Sequence, residues 1–329
     1  MNYILTDISR NRLTIPVSVV IAIVLGSITF FTNESFLPSV QPLNPIWNYF
    51  SETNSFLGTG VLINLLLVMV TGWGLFKMNE NFALSHFRSA LPFLFYLLFQ
   101  VTNPPLQSVS EGSVAAILIS VALFVLFGSY QAEKSSEHGF LIGMLMGGLS
   151  MVWSRAIFYF PVFIVGLWMM RSLRLKTLLA ALIGLVTLYW LQFALYFFND
   201  KVALFPVQFE GLFEFSIPDI TQIPLWIQVN VVVTFLIGLI SGTKLLISNL
   251  QEKVRTQACY NFVILLSTVA SALLVFDSSD LTGHLTIMYM TIALLAGDVF
   301  TASVSKGSVA LFFTIIAIYA ALFGWFFIG

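Results

Sequence analysis

The chain has 329 residues, 58% of them hydrophobic, 15% aromatic and 9% charged, with a mean hydropathy of +0.95. Soluble domains carry roughly 25% charged residues, so folding this chain in water would expose large apolar surfaces, and lipid is its natural solvent. A net charge of −1 argues against a nucleic-acid partner, which needs a basic face; the single cysteine, Cys259, excludes an internal disulfide and any multi-cysteine metal site.

A hydrocarbon core about 30 Å thick is crossed by roughly 20 apolar residues in a helix. Apolar runs occur at 13–31, 57–76, 89–102, 113–131, 139–153, 157–170, 177–198, 224–243, 258–276, 284–300 and 308–328. They predict an all-α, polytopic transmembrane helix bundle of about eleven spans, forming a single transmembrane domain over 1–329 with no soluble domain. The runs at 89–102, 139–153 and 157–170 are short, at about 14 or 15 residues, and read as tilted spans, as spans borrowing flanking residues, or as a broken pair buried in the bundle. The first run, Leu13 to Phe31, leads into a loop with glutamate and proline rather than a small-residue cleavage site, so it reads as a retained first helix.

The basic residues orient the bundle. With the amino terminus in the cytoplasm, the inside segments hold Arg10, Arg12, Lys77, Arg88, Lys134, Arg171, Arg174, Lys176, Lys244, Lys253, Arg255 and Lys306; the outside segments hold only Arg155 and Lys201. Cytoplasmic loops carry the excess of Lys and Arg, so the expectation is amino terminus in and carboxyl terminus out. Two outside loops are longer. Residues 32–55 carry Glu34, Pro38, Pro42, Pro45, Trp47 and Glu52; residues 199–223 interleave Asp200, Glu210, Glu214 and Asp219 with Phe205, Phe209, Phe213 and Phe215, which suggests interfacial or re-entrant structure.

Few residues carry recognisable chemistry. Glu34 and Glu52 bracket the first outside loop, either as solvated loop residues or as general base and metal ligand for transfer from a lipid-linked donor. Arg155, in Trp153-Ser154-Arg155, sits on the side where cations are rare; it reads either as a bidentate grip on a lipid phosphate or as a snorkelling anchor beside an interfacial Trp153. Asp277, Asp280 and His284 share a short outside turn, as turn formers or as ligands of a divalent metal. Asn64, Gln100, Gln192, Gln228 and Asn230 are placed to bond between helices, and Gly143, Gly147 and Gly148 form a small-residue face suited to close helix packing. There is no Walker motif, HExxH, GxSxG or dinucleotide fingerprint, and no cofactor is expected.

The order of motifs from His86-Phe87-Arg88-Ser89-Ala90-Leu91-Pro92 through Gly139-Phe140-Leu141-Ile142-Gly143, Phe158-Tyr159-Phe160-Pro161 and the basic turn Arg171–Lys176 resembles an uncharacterised family of multi-pass inner-membrane proteins from Bacteroidota, over residues 77–200. That resemblance implies a location and a class, not a reaction. More distantly, the short spans and acidic first outside loop look like the polyprenyl-phosphate-dependent membrane glycosyltransferases. Those enzymes place an essential aspartate in a longer loop, where this chain offers only Glu34 and Glu52, so no catalytic residue carries over. The expectation is a non-catalytic component of envelope or glycoconjugate biogenesis in a bacterial inner membrane, with membrane lipids and a membrane-protein partner. The alternatives are a glycosyltransferase or polymerase acting on a polyprenyl-linked sugar, and a lipid or small-solute permease.

Overall fold

A computed structural model describes residues 4–11, 13–32, 57–85, 88–210, 212–213, 223–248, 253–277, 281–302 and 305–326. Thirteen α-helices account for nearly all of them: α1 Ile4–Arg10, α2 Thr14–Thr32, α3 Leu57–Phe82, α4 Leu91–Val101, α5 Glu111–Gly128, α6 Ser135–Val152, α7 Tyr159–Met169, α8 Leu175–Phe198, α9 Leu204–Val207, α10 Leu225–Ser248, α11 Val254–Phe276, α12 Leu281–Ala302 and α13 Lys306–Phe326. Eight of these (α2, α3, α5, α8, α10, α11, α12 and α13) are long and apolar enough to cross a membrane. This is a multi-pass membrane protein.

Eight replaces the expected eleven, and the three that fall short are the short runs. Helix α4 has 11 residues and ends before Pro104, where a 3₁₀ turn takes over. Helix α7 also has 11 residues, preceded by a 3₁₀ turn over Ser154–Phe158, with Pro161 tolerated in its first turn. Helix α6 has 18 residues, but its first turn is Ser135-Ser136-Glu137-His138, which dilutes its apolar character.

Pairings show what the short segments do. Asn64 meets Ser113, Gly74 faces Ser120, and Phe82 packs edge-to-face with Phe124 and Phe127, so α3 and α5 run parallel. The chain must therefore come back between them. It does so through α4, whose start lies by Asn79 (Nδ2 to Ser89 O, 3.4 Å) and whose following turn lies by Asn64 (Nδ2 to Leu106 O, 2.7 Å). Helices α6 and α8 also run parallel: Gly139 abuts Thr177, Gly143 abuts Ala181, and Gly147 abuts Leu185. Helix α7 is the return stroke between them, and its end is tied to the start of the α6 segment by Gln131 N–H donating to Met170 O at 3.1 Å.

These directions sort the charges into two ends. Ala90 N–H to Ser9 O (3.0 Å), Thr301 Oγ1 to Ser89 Oγ (2.6 Å) and Arg255 Nη2 to Phe127 O (3.3 Å) gather one end of the bundle. Lys77, Arg88, Lys134, Arg171, Arg174, Lys176 and Arg255 lie there, Lys253 precedes α11, and Lys306 opens α13 directly after α12. Arg155 lies at the opposite end.

The core is built on α12, whose apolar window is 94% buried. The α6–α8 seam is the closest helix contact. A Cβ on Gly139 would sit 2.6 Å from Thr177 O, and one on Gly143 would overlap the Ala181 carbonyl. Gly148, expected on the same face, instead meets only the flexible end of Leu188 at 3.4 Å. Gly143→Ala is therefore expected to destabilise the bundle by about 1–3 kcal/mol, because the obstructing atom is backbone. Gly148→Ala should stay within about 0.5 kcal/mol of the parent. Reversible unfolding in mixed detergent micelles, run on both variants, measures the difference.

Candidate functional site

The α6–α7 break and the α11–α12 turn meet at the end opposite the basic cluster. Trp153 leaves the helix in an extended conformation (φ −135°, ψ 99°), which puts Arg155 on the 3₁₀ turn and Tyr159 at the first position of α7. Asp277 caps α11, and His284 lies in the first turn of α12. Arg155 Nη1 donates to Asp277 Oδ1. The other carboxylate oxygen, Oδ2, lies 3.2 Å from His284 Nε2, and Tyr159 OH lies 2.8 Å from His284 Nδ1.

Burial makes this arrangement consequential. Arg155 is 7% exposed, and Asp277, His284 and Tyr159 are fully buried. A buried charge costs several kcal/mol unless it is paired and hydrogen-bonded, and Asp277 supplies the counter-charge for Arg155. The carboxylate only accepts, so the imidazole proton belongs on Nε2, and Nδ1 then accepts from the tyrosine hydroxyl. With a neutral imidazole the cluster carries one positive and one negative charge and every stated bond has a donor and an acceptor.

Trp153 roofs the cluster, its ring centroid 4.9 Å from that of His284. Gly283 makes room for it, since a Cβ there would stand 2.6 Å from the indole. Chemically, an imidazole between a carboxylate and a phenol can hold or pass a proton. The same geometry also fastens two helix junctions together.

The expectations for these residues fare unevenly. Arg155 is turned inward to Asp277 rather than outward to headgroups, and Trp153, at 2% exposed, is a core residue rather than an interfacial anchor. Asp277 and His284 do come together, and they are joined by Arg155 and Tyr159. Among the described residues no three His, Cys, Asp or Glu side chains gather as a metal site. Glu34, Glu52 and Asp280 lie outside the described residues. Tyr159 escaped sequence reasoning, because a tyrosine on an apolar helix carries no signal of its own. The pairing of an out-of-place cation and a carboxylate at the same end was the available clue, since intramembrane charges pair with one another.

A second polar cluster lies further along α12. Asn103 Nδ2 donates to Tyr289 OH at 3.0 Å, Tyr289 OH donates to Asn230 Oδ1, and Thr234 pairs with Tyr319. Of the amides expected to bridge helices, Asn64, Gln192 and Asn230 bond to other segments, and Gln228 Nε2 donates to Ile223 O. Neither carboxamide atom of Gln100 completes a hydrogen bond; the residue lines a narrow crevice with Asn64, Gln107 and Gly26.

Comparison with known proteins leaves the site to be interpreted from its own chemistry. No protein family matches the chain, and no curated protein matches it.

If the Arg155–Asp277 pair holds the junctions together, breaking it from one side strands a buried charge. Arg155→Met alone is expected to cost about 3–5 kcal/mol, and Arg155→Met with Asp277→Leu clearly less than the sum of the single changes. A double-mutant unfolding cycle checks this; strictly additive losses would rule out the coupling. Tyr159→Phe leaves His284 Nδ1 without its donor and should cost about 1–3 kcal/mol.

Proposed function

We propose that this multi-pass membrane protein is a non-catalytic structural component of cell-envelope or glycoconjugate biogenesis, held in the bacterial inner membrane with its basic end in the cytoplasm and its carboxyl terminus outside. The gathering of cations at one end supports the orientation, because that is where cytoplasmic loops concentrate Lys and Arg. Helix α13 starts at that end and pairs antiparallel with α10, Tyr319 against Thr234 and Phe326 against Trp226, so it finishes at the other. The envelope assignment draws on the resemblance of residues 77–200 to the uncharacterised inner-membrane family, which is an argument by association.

The observation that carries the structural role is the commitment of Arg155 to Asp277. A transferase acting on a polyprenyl-linked sugar would need that guanidinium on a phosphate. Here it is buried against a carboxylate that also orders His284 and, through it, Tyr159. The partners proposed are membrane lipids and a second membrane protein.

A small-solute permease is the second reading. It is favoured by the polar cluster between α10 and α12, where Asn103 Oδ1 and Asn230 Nδ2 complete no hydrogen bond.

Complementation of a deletion strain separates these roles, scored by detergent sensitivity and by the profile of lipid-linked glycans. The variant Arg155→Met/Asp277→Leu removes the ion pair without stranding a charge. Restoration by this variant at normal abundance is the expected result, with photo-crosslinking in native membranes capturing one stable partner. An abundant, folded variant that restores nothing would point to chemistry at Arg155. Loss of restoration in Asn230→Val alone would favour the permease, and a deletion strain with an intact envelope would remove the envelope assignment.

A further inference from the structure

The basic end is not uniformly open. Lys77 and Arg88 both pair with Glu80, at 2.7 and 3.2 Å, Lys134 lies 3.6 Å from Glu137, and Arg255 holds the Phe127 carbonyl. The turn from α7 to α8 differs. Arg171, Arg174 and Lys176 are all exposed, and among the described residues none of the three makes an ion pair. That places three uncompensated cations within six residues of one turn.

The turn is also built firmly. Ser172 Oγ lies 3.2 Å from Ser129 Oγ and donates to Leu167 O at 3.0 Å; Thr177 Oγ1 lies 2.8 Å from Ser135 Oγ. These bonds, together with the Met170–Gln131 backbone bond, fix where the cations stand. Arg171 itself has φ 55°, the left-handed position that usually ends a helix with glycine. Flanking it are two large apolar side chains, Trp168 at 69% and Leu175 at 73% exposed. They mark the edge of the hydrocarbon, so the cations stand at the depth of the lipid headgroups.

We propose that the α7–α8 turn is a binding site for the phosphate of an anionic phospholipid, held by Arg171, Arg174 and Lys176 with the lipid's acyl chains along Trp168 and Leu175. Charge complementarity selects the ligand. A zwitterionic headgroup brings its own cation to the same place and forfeits most of the attraction. Glu133 on the neighbouring connector and Glu137 in the first turn of α6 offset part of the field, but Lys134 faces Glu137 and leaves the turn positive. The proposal depends on the membrane assignment alone, not on which side the basic end faces or on any role in the envelope.

The test uses the full-length protein, with native mass spectrometry from detergent containing equimolar phosphatidylglycerol and phosphatidylcholine. Each cation near a lipid surface contributes about a fivefold preference, so removing three should lower the anionic-over-zwitterionic retention ratio by up to roughly 100-fold. The variant Arg171→Gly/Arg174→Ser/Lys176→Gln suits the backbone: glycine relaxes the left-handed position, serine supplies a cap for α8, and glutamine keeps its helix. Lys176→Gln alone, expected to lower the ratio about fivefold, guards against a folding defect in the triple variant. Inorganic phosphate at millimolar concentration should leave the retained lipid in place, because it gains nothing from Trp168 and Leu175. An unchanged ratio in the triple variant overturns the proposal. So does an equal fall in a control with Lys77→Gln, Arg88→Gln and Lys306→Gln, which would show a preference spread over the whole end.

Discussion

A charge inside an apolar solvent must find its partner within the protein, and the Arg155–Asp277 pair is where this constraint acts on the whole bundle. Arg155 belongs to the break that ends α6 and starts α7; Asp277 belongs to the turn that ends α11 and starts α12. Their bond spans 122 positions of sequence and fastens the α6–α8 unit to the central helix. From that junction α12 runs through the core, with Gly283 admitting Trp153, Gly112 of α5 against Thr282, Gly238 of α10 against Ile292, and Gly297 against Pro92 of α4. Each contact sets the position of one neighbour. The ion pair holds the end at which this sequence of contacts starts.

Helix association in lipid has no hydrophobic drive, since acyl chains are as apolar as leucine; it depends on close packing and interhelical hydrogen bonds. The protein uses both, in different places. The α6–α8 seam relies on closeness, with Gly139, Gly143 and Gly184 admitting carbonyl groups of the facing helix. The region around α12 relies on polar bonds, with Ser89–Thr301, Asn103–Tyr289 and Asn230–Tyr289 joining four segments. Such bonds contribute about 1 kcal/mol each, so they direct register more than they supply stability.

The membrane class, the long helices and the two-ended distribution of charge were all legible in the sequence, because each follows from composition summed over many residues. The short segments were legible as apolar but not as incomplete. Pro104 truncates α4, Trp153 breaks α6 from α7, and the polar first turn of α6 shares its helix with apolar residues, so hydropathy alone overcounted the spans. The site was half legible. Arg155 stood out as a cation on the wrong side, and Asp277 and His284 as a polar group between spans. Their convergence was not, since nothing local records that two turns far apart in sequence share one end of a bundle. Trp153 shows the same limit: an indole beside a cation near a span end reads as interfacial, whereas a glycine on a distant helix makes it core.

Arginine therefore does two jobs in this chain, and the difference lies in what stands within reach. Arg171 and Arg174 emerge on a turn beside exposed Trp168 and Leu175, with no carboxylate paired to them among the described residues, and they remain open charges. Arg155 emerges on a turn beside buried Trp153 and meets Asp277, so the pair is neutral to anything outside. Of the two exceptions to the charge pattern, Arg155 is thus no exception in electrostatic terms. Arg155 counts with the core rather than with the open cations.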